Sequence, residues 1–554
     1  MERLRPYQNL LVALFGGAIA ALATPPTNIY PALFVGLAML AFALDDAPSA
    51  VRALGRGVAW GTAAGVVGMR FVPSVVDRFT PLGFAAGTVA LVLLAAAQSL
   101  LWGIGAAVTN LVQRRARAPL ELAFAGGMLI TVTLPSVFAW TPAGIVCPWT
   151  CLVQLADLIG ERGVSVLFAI ITALMARAAK NALDAERRTQ QPRQTILVPA
   201  FAAATLLAAI ALYGAWRMAS LSSSSSSSRK MRVALVNQAV GPLDRWDPKN
   251  HASILRNLQM LTKQAETQGT DLTVWPEAAY PYALDYGATH GPRGAFSILG
   301  TELHGPVLFG LITNEKPKSV GGGQFERNSR NSATIVTADG TLQPSYDKLE
   351  LLWFGETIPL GAYLPFLRRI FQKSGGLVPG TDARALVLDH AGEQVRFGVL
   401  NCYEDTLTDV GRRIAREVRP NLLVNVTNDA WFLGSAEPEL HARLARMRAI
   451  EHRIHLVRSV NLGVMSWVDD QGREVLRDES SAASTMMTTP QLGNGELTVY
   501  GRWGDAPISG LLVVAVGIFA WRGRRNSSNE KLATNTIGGK NKASPSDETR
   551  AGSL

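Results

Sequence analysis

Three side chains suited to acyl chemistry stand at the ends of short apolar runs in the second half of this 554-residue chain. Cys402 closes the run 395–401 and precedes a polar turn, Tyr403-Glu404-Asp405-Thr406, that leads into a helical stretch. Such a turn presents a side chain at the mouth of a sheet, and a helix N-terminus is expected to lower the thiol's pKa toward the reactive thiolate. Glu277 ends Leu272-Thr273-Val274-Trp275-Pro276. A carboxylate among apolar and aromatic neighbours gains a raised pKa and can act as a base. Lys348 follows a turn at Asp339-Gly340 and the pair Tyr346-Asp347. A thiol, a base and a cation together suit nucleophilic transfer through a thioester. Singly, each has a plainer reading: a packed cysteine, a solvated loop carboxylate, a surface lysine.

The elements that must position them alternate between two types. Strands are expected at 232–237, 272–275, 307–312, 332–337, 396–400, 422–426, 456–460 and 463–467. Helices are expected at 250–267, 407–418 and 438–453, the last with Leu440, Leu444, Met447 and Ile450 at helical spacing. This alternation predicts a layered α/β domain.

The rest of the chain is of another kind. Hydrophobic residues make up 48% of the chain and charged residues 17%. Mean hydropathy is +0.16, which excludes a disordered or purely soluble polar chain. Apolar runs fall near 9–24, 29–45, 58–72, 82–108, 119–139, 163–176 and 196–214, with an eighth at 507–521. Each is near or somewhat under the roughly 20 residues that cross a bilayer.

Cations cluster in alternate connections: Arg3 and Arg5, Arg52 and Arg56, Arg114, Arg115 and Arg117, and the group from Arg177 to Arg193. Arg522, Arg524 and Arg525 follow the eighth run. The positive-inside rule puts all of these on the cytoplasmic side and the α/β domain outside. The net charge of +10 is thereby explained by topology, and nucleic-acid binding loses its support. The expected layout is a transmembrane domain over 1–215, a Ser-rich flexible linker over 216–230 and a catalytic domain over 231–504. An eighth span over 505–522 and a polar, disordered cytoplasmic tail over 523–554 complete it. Three cysteines exclude a disulfide-built scaffold, and four-ligand zinc spacing is absent from the sequence.

In order the chain reads TVWPEAAYP, YDKLELLWFGETIPLGAYLP, FGVLNCYED and NVTNDAWF. This resembles the nitrilase superfamily, whose Glu–Lys–Cys triad occurs in that order on an αββα sandwich. Membrane runs on both sides narrow the likeness to its membrane-embedded apolipoprotein N-acyltransferase family. PPTNIYPALF, CPWTCLVQLADLIGERGVSVLF and HARLARMRAIEHRIHLVRSVNLG extend it along nearly the whole chain. The resemblance implies a multi-pass α-helical membrane domain joined to a nitrilase-like α/β sandwich. It implies Cys402 as nucleophile, Glu277 as general base and Lys348 as stabiliser of the oxyanion, with Glu356, Tyr403, Glu404 and Trp246 supporting the site or binding substrate.

The implied reaction moves a fatty acyl group from a phospholipid to the N-terminal diacylglyceryl-cysteine of apolipoproteins at the periplasmic face of the bacterial inner membrane. No cofactor or metal is expected. The chain departs from the family's pattern at Trp353, which replaces a proline, at the inserted Leu433 and at Leu462. The alternative is a membrane-anchored nitrilase-type amidase acting on a small amide or nitrile. One anchor would serve such an enzyme, and the eight runs favour the acyltransferase. Cys147 and Cys151 are read as packed thiols or a disulfide, and His441 as a structural hydrogen-bonding residue.

Overall fold

The computed structural model describes residues 5–187, 192–224, 229–321, 324–326, 328–358, 363, 369 and 376–540. Each expected apolar run holds a helix, though the runs at 9–24, 58–72 and 119–139 outlast theirs, the last by six residues after Thr133. The helices are α1 (Arg5–Ala21), α2 (Pro31–Asp45), α3 (Ala50–Gly68), α4 (Val72–Phe79), α5 (Gly83–Ala116), α6 (Leu120–Thr133), α7 (Pro142–Ile145), α8 (Ala156–Arg187) and α9 (Gln194–Ser224). Among the described residues, four helices are long and apolar enough to cross a membrane: Gly83–Ala116, Ala156–Glu186, Gln194–Ser222 and Ala506–Arg525. Tyr7–Ala21, α2 and α6 are apolar but shorter. A 15-residue helix such as α2 is only about 22 Å long at the usual helical rise, against a bilayer core of about 30 Å. Small residues draw the helices together. A Cβ on Gly105 of α5 would fall 2.6 Å from the Gly127 carbonyl of α6, and one on Gly127 would fall 2.4 Å from the Gly105 carbonyl.

The helical domain has two distinct ends. At one, Lys180 pairs with Asp45 and Asp46, and Arg117 donates to the Gly523 carbonyl at 3.2 Å. This end carries the cation-rich connections. At the other, Arg443 of the α/β domain donates to the Ala23 carbonyl and to Asn28 Oδ1, while Arg78 donates to the Leu433 carbonyl. The α/β domain therefore sits on the cation-poor end.

Two sheets build that domain. One runs β15-β1-β2-β4-β7-β8, with β3 also on β4. Its strands are β1 (Val233–Asn237), β2 (Leu272–Val274), β3 (Leu284–Asp285), β4 (Val307–Asn314), β7 (Ser329–Val336), β8 (Tyr346–Asp347) and β15 (Ser484–Thr488). A small hairpin, β5 (Lys318–Gly321) with β6 (Gln324–Glu326), lies apart from it. The other sheet runs β14-β13-β12-β11-β10-β9. Its strands are β9 (Leu386–His390), β10 (Glu393–Asn401), β11 (Leu422–Asn428), β12 (Leu456–Asn461), β13 (Met465–Val468) and β14 (Glu474–Asp478).

Val233, Leu235 and Val274 of the first sheet share one buried core with Val399, Val424 and Val457 of the second. The Ser459 hydroxyl pins the sheets, lying 2.8 Å from the Val274 carbonyl and 3.0 Å from that of Val236. Helix α10 (Pro248–Thr267) covers the first sheet through Leu255, Leu258 and Leu261. Helices α11 (Thr408–Val418) and α12 (Glu437–His452) cover the second. The result is the expected αββα sandwich.

Helix α12 is buried on two faces. Ala445 and Ala449 join the sheet core, while Met447 and Ile450 join the core of the helical domain. Its charged residues serve the same junction: Arg448 pairs with Glu161 of α8 and with Glu451. Arg162 of α8 pairs in turn with Asp409 and Asp505. After the short helix α13 (Val499–Trp503) the chain returns along α14 (Ala506–Lys540).

Two expectations need correction. Helix α9 runs to Ser224, well into the stretch read as a linker; Ser225–Ser228 lie outside the described residues. Likewise α14 continues to Lys540 rather than giving way to a disordered tail at residue 523. Once a helix has formed, each added residue gains a hydrogen bond without a new nucleation cost, so polar residues extend it readily. Residues 541–554, and 359–362 and 364–368 within the glycine- and proline-rich stretch after Glu356, also lie outside the described residues.

Candidate active site

Glu277, Lys348 and Cys402 meet where strands of both sheets end. Glu277 follows β2, a parallel strand between β1 and β4. Its loop lies on β4: Gly310 N donates to the Pro276 carbonyl at 3.2 Å, and Tyr280 N to the Gly310 carbonyl at 3.1 Å. A Cβ on Gly310 would fall 2.6 Å from Ala278 N and 2.7 Å from Glu277 Cα. Glycine is thus required for the glutamate to reach its position. Lys348 follows β8, with its N–H donating to the Asn331 carbonyl at 2.8 Å. Cys402 follows β10 with φ at 56°, a left-handed conformation costly for a residue with a Cβ.

The Lys348 ammonium is 1% exposed and lies 2.8 Å from Glu356 Oε2 and 3.3 Å from Glu277 Oε1. Burial alone would lower its pKa, but Glu277 and Glu356 outweigh that and hold it well above the ordinary lysine value. Burial raises Glu277, with Glu356 adding to the rise, while Lys348 and Asn331 oppose it. The Cys402 thiol is close enough to the Glu277 carboxylate to oppose that rise as well. Cys402 as a residue is only half-buried, yet enough protein surrounds its sulfur that lost hydration, and then the charge on Glu277, push the thiol well above its ordinary value. This reverses the lowered thiol pKa expected from the sequence. The helix N-terminus invoked there is not at the sulfur: residues Cys402–Thr406 form a tight turn, and the helix proper starts only at Thr408. Burial and the neighbouring charges thus favour the neutral thiol and the charged ammonium.

The other expected residues separate into two groups. Glu356 is the closer partner of Lys348, and it also accepts from Leu352 N at 2.9 Å. Glu404 is fully buried and accepts from Leu349 N (2.6 Å), Glu350 N (3.1 Å), Asn401 N (2.8 Å) and the Tyr346 hydroxyl (2.7 Å). It joins the Lys348 segment to the Cys402 turn. Burial lifts its pKa to about 7 despite those donors. The Tyr403 ring centre is 5.8 Å from the Lys348 ammonium.

Trp246 stands apart with its indole 57% exposed. Its neighbour Arg245 donates to the carbonyls of Tyr280 and Pro281, beyond Glu277. Of the departures from the family's pattern, Trp353 and Leu433 are exposed and Leu462 takes a positive φ of 51°.

Sequence reasoning missed Asn331, whose amide donates to both Glu277 Oε1 and Glu356 Oε1 at 2.7 Å. It missed Asn425, which donates to the Cys402 carbonyl at 2.9 Å. Each lies in or beside an expected strand, and a polar residue in a strand that should be buried was the signal available. Beneath the Cys402 turn, His441 lies between Asp405 (2.9 Å) and Asp429 (3.0 Å), and Asp405 also pairs with Arg458 at 3.1 Å. Asp429, Glu437 and His441 bring candidate ligand atoms within 4.8 Å of one another. Burial disfavours a charged imidazole here, but the two aspartates override it and hold His441 well above its ordinary value. With both ring nitrogens engaged by aspartates, His441 ties the Cys402 turn to the segment after β11. Cys147 and Cys151 are both free; the Cys147 thiol donates to the Arg443 carbonyl at 2.9 Å.

Comparison with known proteins agrees with this architecture. Residues 232–492 match the family described as Carbon-nitrogen hydrolase, and residues 16–174 match the Apolipoprotein N-acyltransferase N-terminal domain. The chain is 28% identical to the apolipoprotein N-acyltransferase of Geobacter metallireducens, covering 93% of this chain and 96% of that one. It is 28% identical to that of Bradyrhizobium diazoefficiens, covering 92% and 94%. To that of Azotobacter vinelandii it is 27% identical, again covering 92% and 94%. Among solved structures, an amidase from Nesterenkonia sp. AN1 aligns with 18% identity and a TM-score of 0.34, over 50% of this chain and 98% of that chain.

Proposed function

This chain belongs to the apolipoprotein N-acyltransferase family of carbon–nitrogen hydrolases, and from that premise we propose that it transfers a fatty acyl group from a phospholipid to the α-amino group of a diacylglyceryl apolipoprotein. The observation that carries the reading is the buried meeting of Cys402, Glu277 and Lys348 on a domain seated against long apolar helices.

In the first half-reaction, Glu277 takes the Cys402 proton as the sulfur attacks the carbonyl carbon of the phospholipid ester. Lys348 supplies positive charge to the oxyanion in a site poor in water. Collapse breaks the carbon–oxygen ester bond, Glu277 returns its proton to the departing glycerol oxygen, and a thioester remains on Cys402. In the second, the neutral acceptor amine attacks that thioester and gives a proton to Glu277. The carbon–sulfur bond breaks, the amide forms, and the thiolate recovers the proton. Glu356 holds Lys348 in place, Glu404 fastens the lysine segment to the nucleophile turn, and Tyr403 and Trp246 contact substrate. The cationic end of the helical domain faces the cytoplasm of the bacterial inner membrane, and the catalytic domain faces the periplasm.

The test is complementation of a strain depleted of its own acyltransferase, with mass spectrometry of a lipoprotein N-terminus. The reading predicts growth and triacylated lipoprotein with the wild-type chain and neither with Cys402→Ala. Wild-type protein inserted in the membrane without N-acylation contradicts it.

A further inference from the structure

Asn331 is 4% exposed on β7, opposite Ile312 of β4. Its amide nitrogen lies 2.7 Å from an oxygen of Glu277 and 2.7 Å from an oxygen of Glu356. Its amide oxygen accepts from Asn401 Nδ2 at 3.0 Å, and its backbone carbonyl accepts from Lys348 N. One side chain thus touches both carboxylates that flank the lysine, and reaches the residue that precedes the nucleophile.

The orientation of the amide follows from these partners. The NH2 group faces an oxygen of each carboxyl group and the amide oxygen faces the Asn401 amide nitrogen, so every contact pairs a donor with an acceptor. A flipped amide would set oxygen against carboxylate oxygen and nitrogen against nitrogen. Charge gives a second reason for an amide here. Burial raises Glu277, and because Lys348 supplies one positive charge to two carboxylates, the charge of Glu356 adds to the rise. Two neutral N–H donors favour the charged form of each carboxylate without adding an ion that must itself be desolvated.

We propose that Asn331 is a positioning residue for the base of the Cys402 nucleophile: its two amide hydrogens hold Glu277 and Glu356 apart as carboxylates around Lys348, leaving Glu277 free to take the Cys402 proton. The proposal rests on the reading of Glu277 as the base. Without the donor, Glu277 binds its proton more tightly and becomes basic only at higher pH.

The test uses alkylation of Cys402 by iodoacetamide on the full chain in detergent, followed by peptide mass spectrometry from pH 5 to pH 10. It needs neither lipid donor nor acceptor. For Asn331→Leu, the midpoint of the pH–rate curve should move up by about one unit, the size expected from losing a charge-assisted hydrogen bond. The rate should drop about tenfold at pH 6 and recover by pH 9. Asn331→Ser, smaller and unable to reach both carboxylates, should shift in the same direction, and it carries the test if the leucine variant fails to fold. A wild-type profile in a folded variant overturns the proposal, as does an equal loss at every pH. If Asn331→Leu shifts the curve while the wild-type protein transfers no acyl group, the proposal stands and the assigned reaction falls.

Discussion

The Lys348 ammonium makes its shorter ion pair, 2.8 Å, with Glu356; Glu277 lies 3.3 Å away. In the proposed mechanism Lys348 must remain charged and steady while Glu277 gains and loses a proton. A second carboxylate at the ammonium lets it do so, because the lysine keeps a full counter-ion when Glu277 becomes neutral.

This division of labour separates two conservative variants. Glu277→Gln cannot accept the thiol proton and should lose acyl-enzyme formation by roughly a thousandfold. Glu356→Gln keeps a hydrogen-bond acceptor for Lys348 and should form acyl-enzyme, with turnover slowed about tenfold to a hundredfold. Measuring acyl-Cys402 and N-acylated product separately checks both. Loss of acyl-enzyme in Glu356→Gln alone would exchange the roles.

Gly310→Ala should leave the fold largely intact and damage catalysis. Its new Cβ would collide with the backbone around Glu277, and misplacing a catalytic group by a fraction of an ångström costs about tenfold or more. Steady-state transfer with a melting curve on the same sample tests this; unchanged activity would mean that the Glu277 loop adapts freely.

Glu404 makes a pH-dependent contribution to stability. Its pKa of about 7 in the folded state lies above the ordinary 4.5, so the folded chain holds a proton that the unfolded chain releases. That contribution is present below 4.5 and is lost as pH rises through 7. The melting temperature of Glu404→Gln should fall less between pH 5 and pH 7.5 than that of the wild type, even if the variant starts lower through weakened contacts to Asn401 N and Tyr346. Parallel curves for the two proteins would show that Glu404 does not titrate in this range.

The junction of the two domains should be sensitive to single charges. Arg448 is 0% exposed and Glu161 1% exposed; removing one partner strands the other, at about 3–5 kcal/mol. Arg448→Met should therefore lower the melting temperature sharply. Lys263→Met, which breaks the surface pair with Glu302, should not change it measurably.

The strand ends that carry Glu277 and Cys402, and the three helices of the sandwich, were legible because apolar runs of the right length announce buried elements. Sheet edges were less so. Strands β14 and β15 are only partly buried, and their mixed composition leaves little periodic signal. The junction was hidden for a different reason. Arg443, Arg448 and Arg458 are fully buried, but in sequence an arginine on a helix or strand reads as solvent-facing. Its burial depends on carboxylates such as Glu161 hundreds of residues away, and on a neighbouring domain. Asn331 was obscure for the same cause: its partners Glu277, Glu356 and Asn401 come from three separate segments.

The central claim is a covalent acyl group on Cys402, and the most direct measurement is the mass of that cysteine's peptide after incubation with a phospholipid carrying an isotope-labelled acyl chain. The account predicts a labelled adduct on Cys402 that neutral hydroxylamine releases, retained in Cys147→Ser and Cys151→Ser and absent in Cys402→Ala. Transfer of the labelled chain to acceptor by Cys402→Ala at the wild-type rate would contradict it.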